Sequence, residues 1–273
     1  MNTAWLASLG SIVLLAILVA LLAGISLRPT RRASEPLLVY CAAGVKAPVE
    51  NLARAYEKIF HTPIQLSYGG SQTLLASIEL SRRGDLYLPA DDSYIQLARA
   101  KGLAAESLPL ARMTAVLAVR RGNPKNISSL DDLWRGDVTL AQANPDAAAI
   151  GKITREVFQK TGQWEELKSR TTVFKPTVND VANDLKLGAV DAGFMWDATV
   201  KQYPELEAVR VPALSNAVAQ ISVAVLHTST QPAAALRFAR FLAGPENGQP
   251  EWRRSGFATG AEFPQAPSIP RNQ

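Results

Sequence analysis

From Pro36 onward, short apolar runs alternate with longer segments in which apolar residues recur every three or four positions. Runs of the first kind are typical of buried strands, and segments of the second kind are typical of helices that bury one face. In 48–60, for example, Val49, Leu52 and Tyr56 lie on one such face. Repeated alternation of this kind indicates an α/β protein whose sheet is rich in parallel strands.

The same pattern gives approximate bounds for each element. The predicted strands are 37–42, 63–67, 85–89, 114–120, 138–141, 171–174, 192–196 and 221–226. The predicted helices are 48–60, 72–81, 93–101, 130–133, 151–161, 178–187 and 232–242. Several of these helices run up to a glycine, a residue that commonly ends a helix.

Two of the predicted strands, 114–120 and 221–226, bracket a block that has strands and helices of its own. This arrangement predicts two lobes joined by a two-strand hinge, each lobe a mixed sheet flanked by helices. The first lobe is discontinuous. The predicted bounds are 36–113 plus 222–263 for the first lobe, 114–221 for the second, and 264–273 for a proline-containing tail. A hinge of this kind favours a ligand site in the cleft between the lobes.

The N-terminal segment differs from the rest of the chain in its hydropathy and charge. Residues 1–27 carry no charge, and Trp5 to Leu27 is an unbroken stretch of apolar and small residues. That stretch exceeds the roughly 20 residues needed to cross a bilayer, so 1–33 is predicted to be a signal peptide or a membrane anchor. Arg28, Arg31 and Arg32 follow it and, by the positive-inside rule, favour a cytoplasmic location for the rest. An extracytoplasmic location conflicts with that rule, and the sequence leaves both open.

Charge and composition narrow the choice of partner. The chain has 29 Lys and Arg against 24 Asp and Glu, a net charge of +5. This mild excess suits a small anion and lacks the dense basic stripe that nucleic-acid binding requires. With one cysteine and two histidines, the chain offers neither a disulfide scaffold nor a Cys-cluster zinc site. No bare metal ion and no cofactor are therefore expected.

Small residues and glycine occupy four junctions between a predicted strand and the next predicted helix. Helix N-termini carry unpaired amide groups and a partial positive charge, so each junction can hold an anion, and small residues let a ligand approach the backbone. The four junctions are 41–44, 68–71, 144–149 and 176–179.

Several segments resemble the periplasmic molybdate-binding proteins of ABC transporters, a type II solute-binding family, over roughly 37–263. The most specific are Gly-Gly-Ser-Gln-Thr-Leu at 69–74, the segment 84–91, Ala-Asn-Pro-Asp at 143–146, and Asn-Asp-Val at 179–181 with 188–196. The resemblance implies a two-lobed receptor that captures molybdate or tungstate for an ABC-transporter permease, without catalysis. It also implies a periplasmic, secreted or inner-membrane-anchored protein that contacts the membrane through its N-terminal segment. A monomer is expected.

In that family a tetrahedral oxyanion is held by uncharged donors. The resemblance places them at the backbone of Ala43 and Gly44, at the Ser71 hydroxyl, at the backbone of Ile150 and Val181, and at the side chain of Trp196. The chain departs from the family at two of these positions, because Gly44 stands where the family has Ser and Trp196 where it has Tyr. An indole donates a hydrogen bond but accepts none, which suits a fully deprotonated dianion.

Three alternatives stay open. The first is a receptor of the same fold for sulfate, phosphate or another oxyanion. The second is an enzyme with Ser71 as nucleophile, although no Gly-x-Ser-x-Gly elbow surrounds that serine and the chain has only two candidate histidine bases. The third is a membrane-tethered anion sensor or the effector domain of a regulator, although no helix-turn-helix is visible.

Overall fold

The computed structural model describes residues 35–260. The predicted N-terminal segment 1–33 and the predicted tail 264–273 lie outside that range. Within it, no helix has both the length and the apolar character that crossing a membrane requires.

Nine strands and nine helices are labelled here in chain order within 35–260. The strands are β1 (Leu37–Ala42), β2 (Ile64–Gly69), β3 (Leu86–Leu88), β4 (Ala104–Arg120), β5 (Leu140–Ala143), β6 (Val173–Lys175), β7 (Ala192–Trp196), β8 (Leu206–Val209) and β9 (Val218–Leu226). The helices are α1 (Lys46–Phe60), α2 (Ser71–Ser81), α3 (Ser93–Ala100), α4 (Ala149–Lys160), α5 (Trp164–Arg170), α6 (Val178–Leu187), α7 (Asp197–Lys201), α8 (Pro232–Ala243) and α9 (Gly248–Arg254). Short 3₁₀ turns cover Ala43–Val45, Asp131–Trp134 and Pro212–Leu214.

The strands form a mixed sheet in the order β2-β1-β3-β9-β4-β7-β5-β6, and β8 also pairs with β4. β1 is parallel to both β2 and β3, and β5 is parallel to both β6 and β7. Every pair that includes β4 or β9 is antiparallel. The sheet is therefore less parallel than the alternation of strands and helices suggested, because the returning strand β9 is inserted between β3 and β4.

β4 is shared by two sheet regions. Its first part, Ala104–Thr114, pairs with β9 and belongs with β2, β1 and β3 in the first sheet region. Its last part, Ala115–Arg120, pairs with β7 and β8 and belongs with β5 and β6 in the second sheet region. One continuous strand thus runs from one region into the other.

Each region has its own aromatic core. In the first, Tyr56 of α1 packs on Phe238 and Phe241 of α8, with ring centroids 4.9 and 5.3 Å apart. In the second, Phe158 of α4 meets Phe194 of β7 edge-on at 5.5 Å. Aromatic pairs in these geometries stabilise a core beyond the area they bury. Each region therefore packs its helices against its own strands.

Three predicted elements coincide with the structure to the residue: β1, α6 and β7. β4 begins at Ala104, ten residues before the predicted start at 114. The prediction began too late because polar residues and Pro109 interrupt the apolar pattern of the first part of the strand. That part nevertheless pairs with β9, with two irregularities in register. The local sequence pattern did not predict α5, α7, β8 and α9. All are short, and α9 contains both a glycine and a proline, which normally argue against a helix.

Candidate functional site

A small cavity lies between the two sheet regions. Its free volume is about 10 Å³, roughly the space that one buried water needs. Thirteen residues line the cavity, and none of them is charged: Ala42, Ala43, Gly44, Gly69, Gly70, Ser71, Ala90, Ala148, Ala149, Ile150, Thr177, Val178 and Trp196. Space for about one water is far too small for a sugar phosphate or an organic cofactor.

The lining comes from the starts of helices. The 3₁₀ turn that leads into α1, the starts of α2, α4 and α6, and the last residue of β7 all reach the cavity. The four junctions identified in the sequence therefore meet in one place. Amides of the first helical turn have no partner inside their helix, and each helix adds a partial positive charge at this end. The lining thus offers hydrogen-bond donors without a formal charge.

Five of the six predicted site residues lie on this cavity: Ala43, Gly44, Ser71, Ile150 and Trp196. Val181 does not. It is fully buried, and its amide donates to the carbonyl of Thr177 at 3.4 Å as part of α6. In this segment the cavity is lined by Thr177 and Val178 instead. The predicted start of α6 could have identified them, because only the first amides of a helix are free.

Ser71 is held with its hydroxyl oxygen already engaged. The amide of Ala90 donates to Ser71 Oγ at 3.1 Å, and the hydroxyl of Tyr87 donates to the Ser71 carbonyl at 2.7 Å. Ser71 is 1% exposed. Because Oγ accepts a hydrogen bond from the protein, its own hydrogen is the group left to interact with a guest in the cavity.

The indole N–H of Trp196 is a second hydrogen-bond donor at the cavity. The residue is 1% exposed, and within residues 35–260 its indole Nε1 donates to no protein acceptor. The ring lies against Gly44: a Cβ built on Gly44 would be 3.1 Å from Trp196 Cδ1 and 3.4 Å from Nε1. Trp196 therefore brings an unpaired N–H to the cavity wall, packed directly on the turn that follows β1.

Thr177 lines the cavity, but its hydroxyl forms hydrogen bonds with Asp180 at the start of α6. Its Oγ1 accepts from the amide of Asp180 at 3.3 Å and donates to the Asp180 carboxylate at 2.7 Å. The Thr177 amide also donates to that carboxylate, at 3.0 Å, which completes a capping box. This helix start therefore contributes later amides, such as that of Val178, rather than a side chain.

Direct contacts join the two sheet regions around the cavity. The amide of Gln72 donates to the carbonyl of Ala147 at 2.9 Å. Lys152 Nζ donates to Ser93 Oγ at 2.7 Å and lies 5.3 Å from the centre of the Tyr94 ring. The two sides of the cleft are therefore in contact beside the cavity.

No titratable side chain lines the cavity. The nearest in sequence, Cys41, is fully buried in β1, and burial raises the pKa of its thiol far above the usual range, so it stays a neutral thiol. Across residues 35–260, no cluster of three or more His, Cys, Asp or Glu side chains could hold a metal ion. Neither an acid–base pair nor a metal ligand set accompanies Ser71.

A larger groove of about 640 Å³ lies elsewhere. It runs beside Thr114–Val116 of β4, α7 and the segment 203–215, and it includes three basic side chains, Arg121, Lys201 and Arg210. None of the predicted site residues reaches it. Its size alone does not make it the site, because helix-start amides converge on the smaller cavity.

Residues 37–258 match the family described as bacterial extracellular solute-binding proteins. The chain belongs to that family. The match spans nearly all of the described residues and both sides of the cavity. It confirms the predicted class, a binding protein rather than an enzyme, so the reading of Ser71 as a nucleophile is not supported.

Two comparisons place the chain near molybdate-binding proteins. It is 26% identical over 235 residues to the molybdate-binding protein ModA of Mycobacterium tuberculosis, which covers 84% of this chain and 87% of the relative. The structure is similar to the Azotobacter vinelandii periplasmic molybdate-binding protein, with a TM-score of 0.69 at 18% identity over 82% of this chain and 99% of that one.

The sulfate-binding protein SubI of M. tuberculosis is structurally about as similar, with a TM-score of 0.68 at 18% identity over 81% of this chain and 86% of that one. These likenesses confirm the predicted fold, the two-lobed type II fold of periplasmic binding proteins. At such identities, the fold does not by itself choose between the two anions.

Proposed function

We propose that this protein captures a fully deprotonated tetrahedral oxyanion, with molybdate and tungstate first, and delivers it to the permease of an ABC transporter. The ligand is cargo, so no cofactor takes part. The observation that carries the proposal is the cavity lined by thirteen uncharged residues, most of them at or just before the starts of four helical segments. The names of the relatives add molybdate as the first anion to test.

The hydrogen-bonding character of the lining supports a dianion without protons. The hydroxyl hydrogen of Ser71 and the indole hydrogen of Trp196 are both available to donate to a ligand. The hydroxyl hydrogen of Thr177 is not available, because it donates to Asp180 within the cap of α6. The side chains therefore present hydrogens to the cavity, and the two hydroxyl oxygens each already accept a hydrogen bond from a backbone amide. Fixed amide dipoles in an enclosed space stabilise negative charge without a counter-charge. A protonated phosphate would bring a hydrogen that must share a hydroxyl oxygen with one of those amides, which disfavours it relative to a fully deprotonated dianion.

We place the lobe bounds at 36–113 plus 222–263 for the first lobe and 114–221 for the second. The change of partners along β4, from β9 up to Thr114 to β7 from Ala115, supports a hinge at this point. In this proposal the predicted site residues are divided between the lobes. Ala43, Gly44 and Ser71 belong to the first lobe, and Ile150, Val181 and Trp196 belong to the second. Closing the lobes would then enclose the anion and remove its water.

We further propose that the protein works outside the cytoplasm, in the periplasm, and that segment 1–33 is either a cleaved signal or a retained anchor that contacts the membrane. Membership of an extracellular family supports this location against the positive-inside rule. A permease as partner follows from the same membership. We propose a monomer.

A sulfate receptor is the second candidate, since SubI shares the fold. Sulfate has the same charge and shape as molybdate and a smaller radius. The uncharged lining suits both ions, so the fit of the ion in the cavity decides between them.

Isothermal titration calorimetry of the purified protein with molybdate, tungstate, sulfate and phosphate tests the proposal. Molybdate or tungstate is expected to bind tightly, sulfate more weakly, and phosphate not measurably. Ser71→Ala is expected to weaken binding by about 10- to 150-fold, the loss typical of a hydrogen bond to a charged group. Ser77→Ala, on the same helix but bonded to Thr73 O, is the control. Absence of binding by all four ions, or tight phosphate binding, would contradict the proposal, and sulfate binding tighter than molybdate would support the second candidate.

A further inference from the structure

We propose that Gly44 and Trp196 act as one matched pair that determines which anion the cavity accepts, and that Gly44 is required because the indole fills the space beside it. This inference rests on the proposed function, since it assigns specificity within the same cavity. Its content is that the effect of a substitution at position 44 on anion binding depends on the residue at position 196. Substituting either residue alone would not reveal this dependence.

The two residues approach from opposite sides of the cleft. Gly44 lies in the 3₁₀ turn after β1, and Trp196 is the last residue of β7. A Cβ built on Gly44 would lie 3.1 Å from Trp196 Cδ1 and 3.3 Å from Val178 Cγ1. Both distances are shorter than an ordinary carbon–carbon contact of about 3.5 Å or more. Any larger side chain at position 44 therefore needs the indole or the turn to move.

Neither partner has room to retreat. Trp196 is 1% exposed, and its backbone pairs with Ala115 of β4. The next residue, Asp197, accepts the amide of Thr114 at 2.9 Å, which fixes the end of β7 against β4. On the other side, the carbonyl of Gly44 accepts the hydroxyl of Thr199 at 3.5 Å. Crowding at position 44 would therefore either reduce the cavity, whose free space is that of about one water, or hold the two sides of the cleft apart.

The geometry also brings two possible donors to the same place. A Cβ on Gly44 would be 3.4 Å from indole Nε1, so a serine hydroxyl at 44 would compete with the indole N–H for one position on the wall. With the indole present, that hydroxyl adds a clash. A phenylalanine at 196 keeps a ring carbon beside Gly44 but lacks Nε1, so there the same hydroxyl can supply the missing donor. The effect of a serine at position 44 should therefore change sign with the residue at 196.

The test uses four proteins: the native chain, Gly44→Ser, Trp196→Phe, and both substitutions together. Calorimetry with tungstate, molybdate and sulfate is expected to show each single substitution weakening tungstate binding by about tenfold or more, the cost of overpacking or of one lost charged hydrogen bond. The double variant is expected to bind tungstate more tightly than Trp196→Phe alone. The ratio of tungstate to sulfate affinity should also differ between the native chain and the double variant.

Matched controls separate a local effect from a general one. Trp164→Phe changes a buried tryptophan of α5 outside the cavity, and Gly136→Ser changes a glycine with open space around it. Both are expected to leave tungstate binding unchanged. If Gly44→Ser does not fold, Gly44→Ala in the native chain and in a Trp196→Ala chain tests the steric part of the pairing: it should weaken tungstate binding beside Trp196 and have little further effect once the ring is removed.

The outcomes are distinct. If the native chain binds none of the three anions, the proposed function fails. If the native chain binds but the two substitutions are additive, or the ratio of affinities is unchanged, only the matched pair is refuted. An additional readout is the change of tryptophan fluorescence on tungstate binding, which Trp196→Phe should abolish and Trp164→Phe should retain.

Discussion

Replacing Gly70 with alanine should prevent closure of the cleft without damaging either lobe. Gly70 precedes α2 with φ −71° and ψ 149°, an extended conformation that alanine adopts freely. Its obstacle lies across the cleft. A Cβ at this position would be 2.4 Å from the carbonyl oxygen of Ala147 and 3.1 Å from that of Pro176. Both are backbone atoms, so the clash is relieved only if the lobes separate.

The size of the effect follows from these distances. Restoring an ordinary contact of about 3.5 Å requires the two backbones to separate by about 1 Å. The hydrogen bond from the Gln72 amide to Ala147 O, now 2.9 Å, would then exceed the usual limit. Losing it costs about 0.5–1.5 kcal/mol, and any residual overpacking costs about 1–3 kcal/mol. A closed state destabilised by about 2–4 kcal/mol corresponds to anion binding weakened by roughly 30- to 1,000-fold.

Calorimetry with tungstate measures that loss, and small-angle scattering with and without tungstate reports whether the protein still becomes more compact. Thermal unfolding without ligand should be nearly unchanged. Gly136→Ala is the control, because a Cβ there meets nothing within 4 Å. Native affinity in Gly70→Ala would refute the reasoning, and so would a loss of ligand-free stability as large as the loss of binding, since the clash would then not be relieved by opening.

Three further predictions concern the surroundings of the cavity. Lys152→Met, which removes the hydrogen bond to Ser93, should weaken tungstate binding about two- to tenfold through faster release, measured by stopped-flow fluorescence. Tungstate affinity should be constant between about pH 6 and pH 9, because no lining residue titrates there, and a pH-dependent calorimetric affinity would contradict the assigned lining. Amides of Ser128 and Ser129 hold the pKa of Asp132 at about 2, below its unfolded value. This carboxylate therefore stabilises the fold at neutral pH and loses that effect as the pH falls, so Asp132→Asn should lower the urea midpoint at pH 7, and its difference from the native chain should narrow toward about pH 2.

The sequence predicted those parts of the fold in which local pattern and tertiary contact agree. β1 and β7 are continuous apolar runs and α6 has a capping box and a terminal glycine, so their bounds were found to the residue. The first part of β4 could not be found in this way. Its pairing with β9 depends on a partner more than 100 residues away, and no local periodicity records that partner.

The candidate site was predicted more closely in its segments than in its individual residues. Small residues before helices indicated the four junctions, and the cavity is lined from all four. Val181 lies outside it because a fourth helical residue has its amide bonded within the helix, whereas Thr177 and Val178 begin that helix. The contact between Gly44 and Trp196 had no sequence signal, because it joins residues on opposite sides of the cleft.

The place of β9 in the sheet has a consequence for biosynthesis. β9 is the last strand in sequence among the described residues, yet it lies between β3 and β4. A nascent chain therefore cannot complete its first sheet until Val218–Leu226 has been synthesised. The first sheet region therefore stays incomplete while the second, whose strands all precede β9, can already form. This topology therefore makes the first sheet region, which contributes Gly44 and Ser71 to the cavity, the last part of the sheet to be completed.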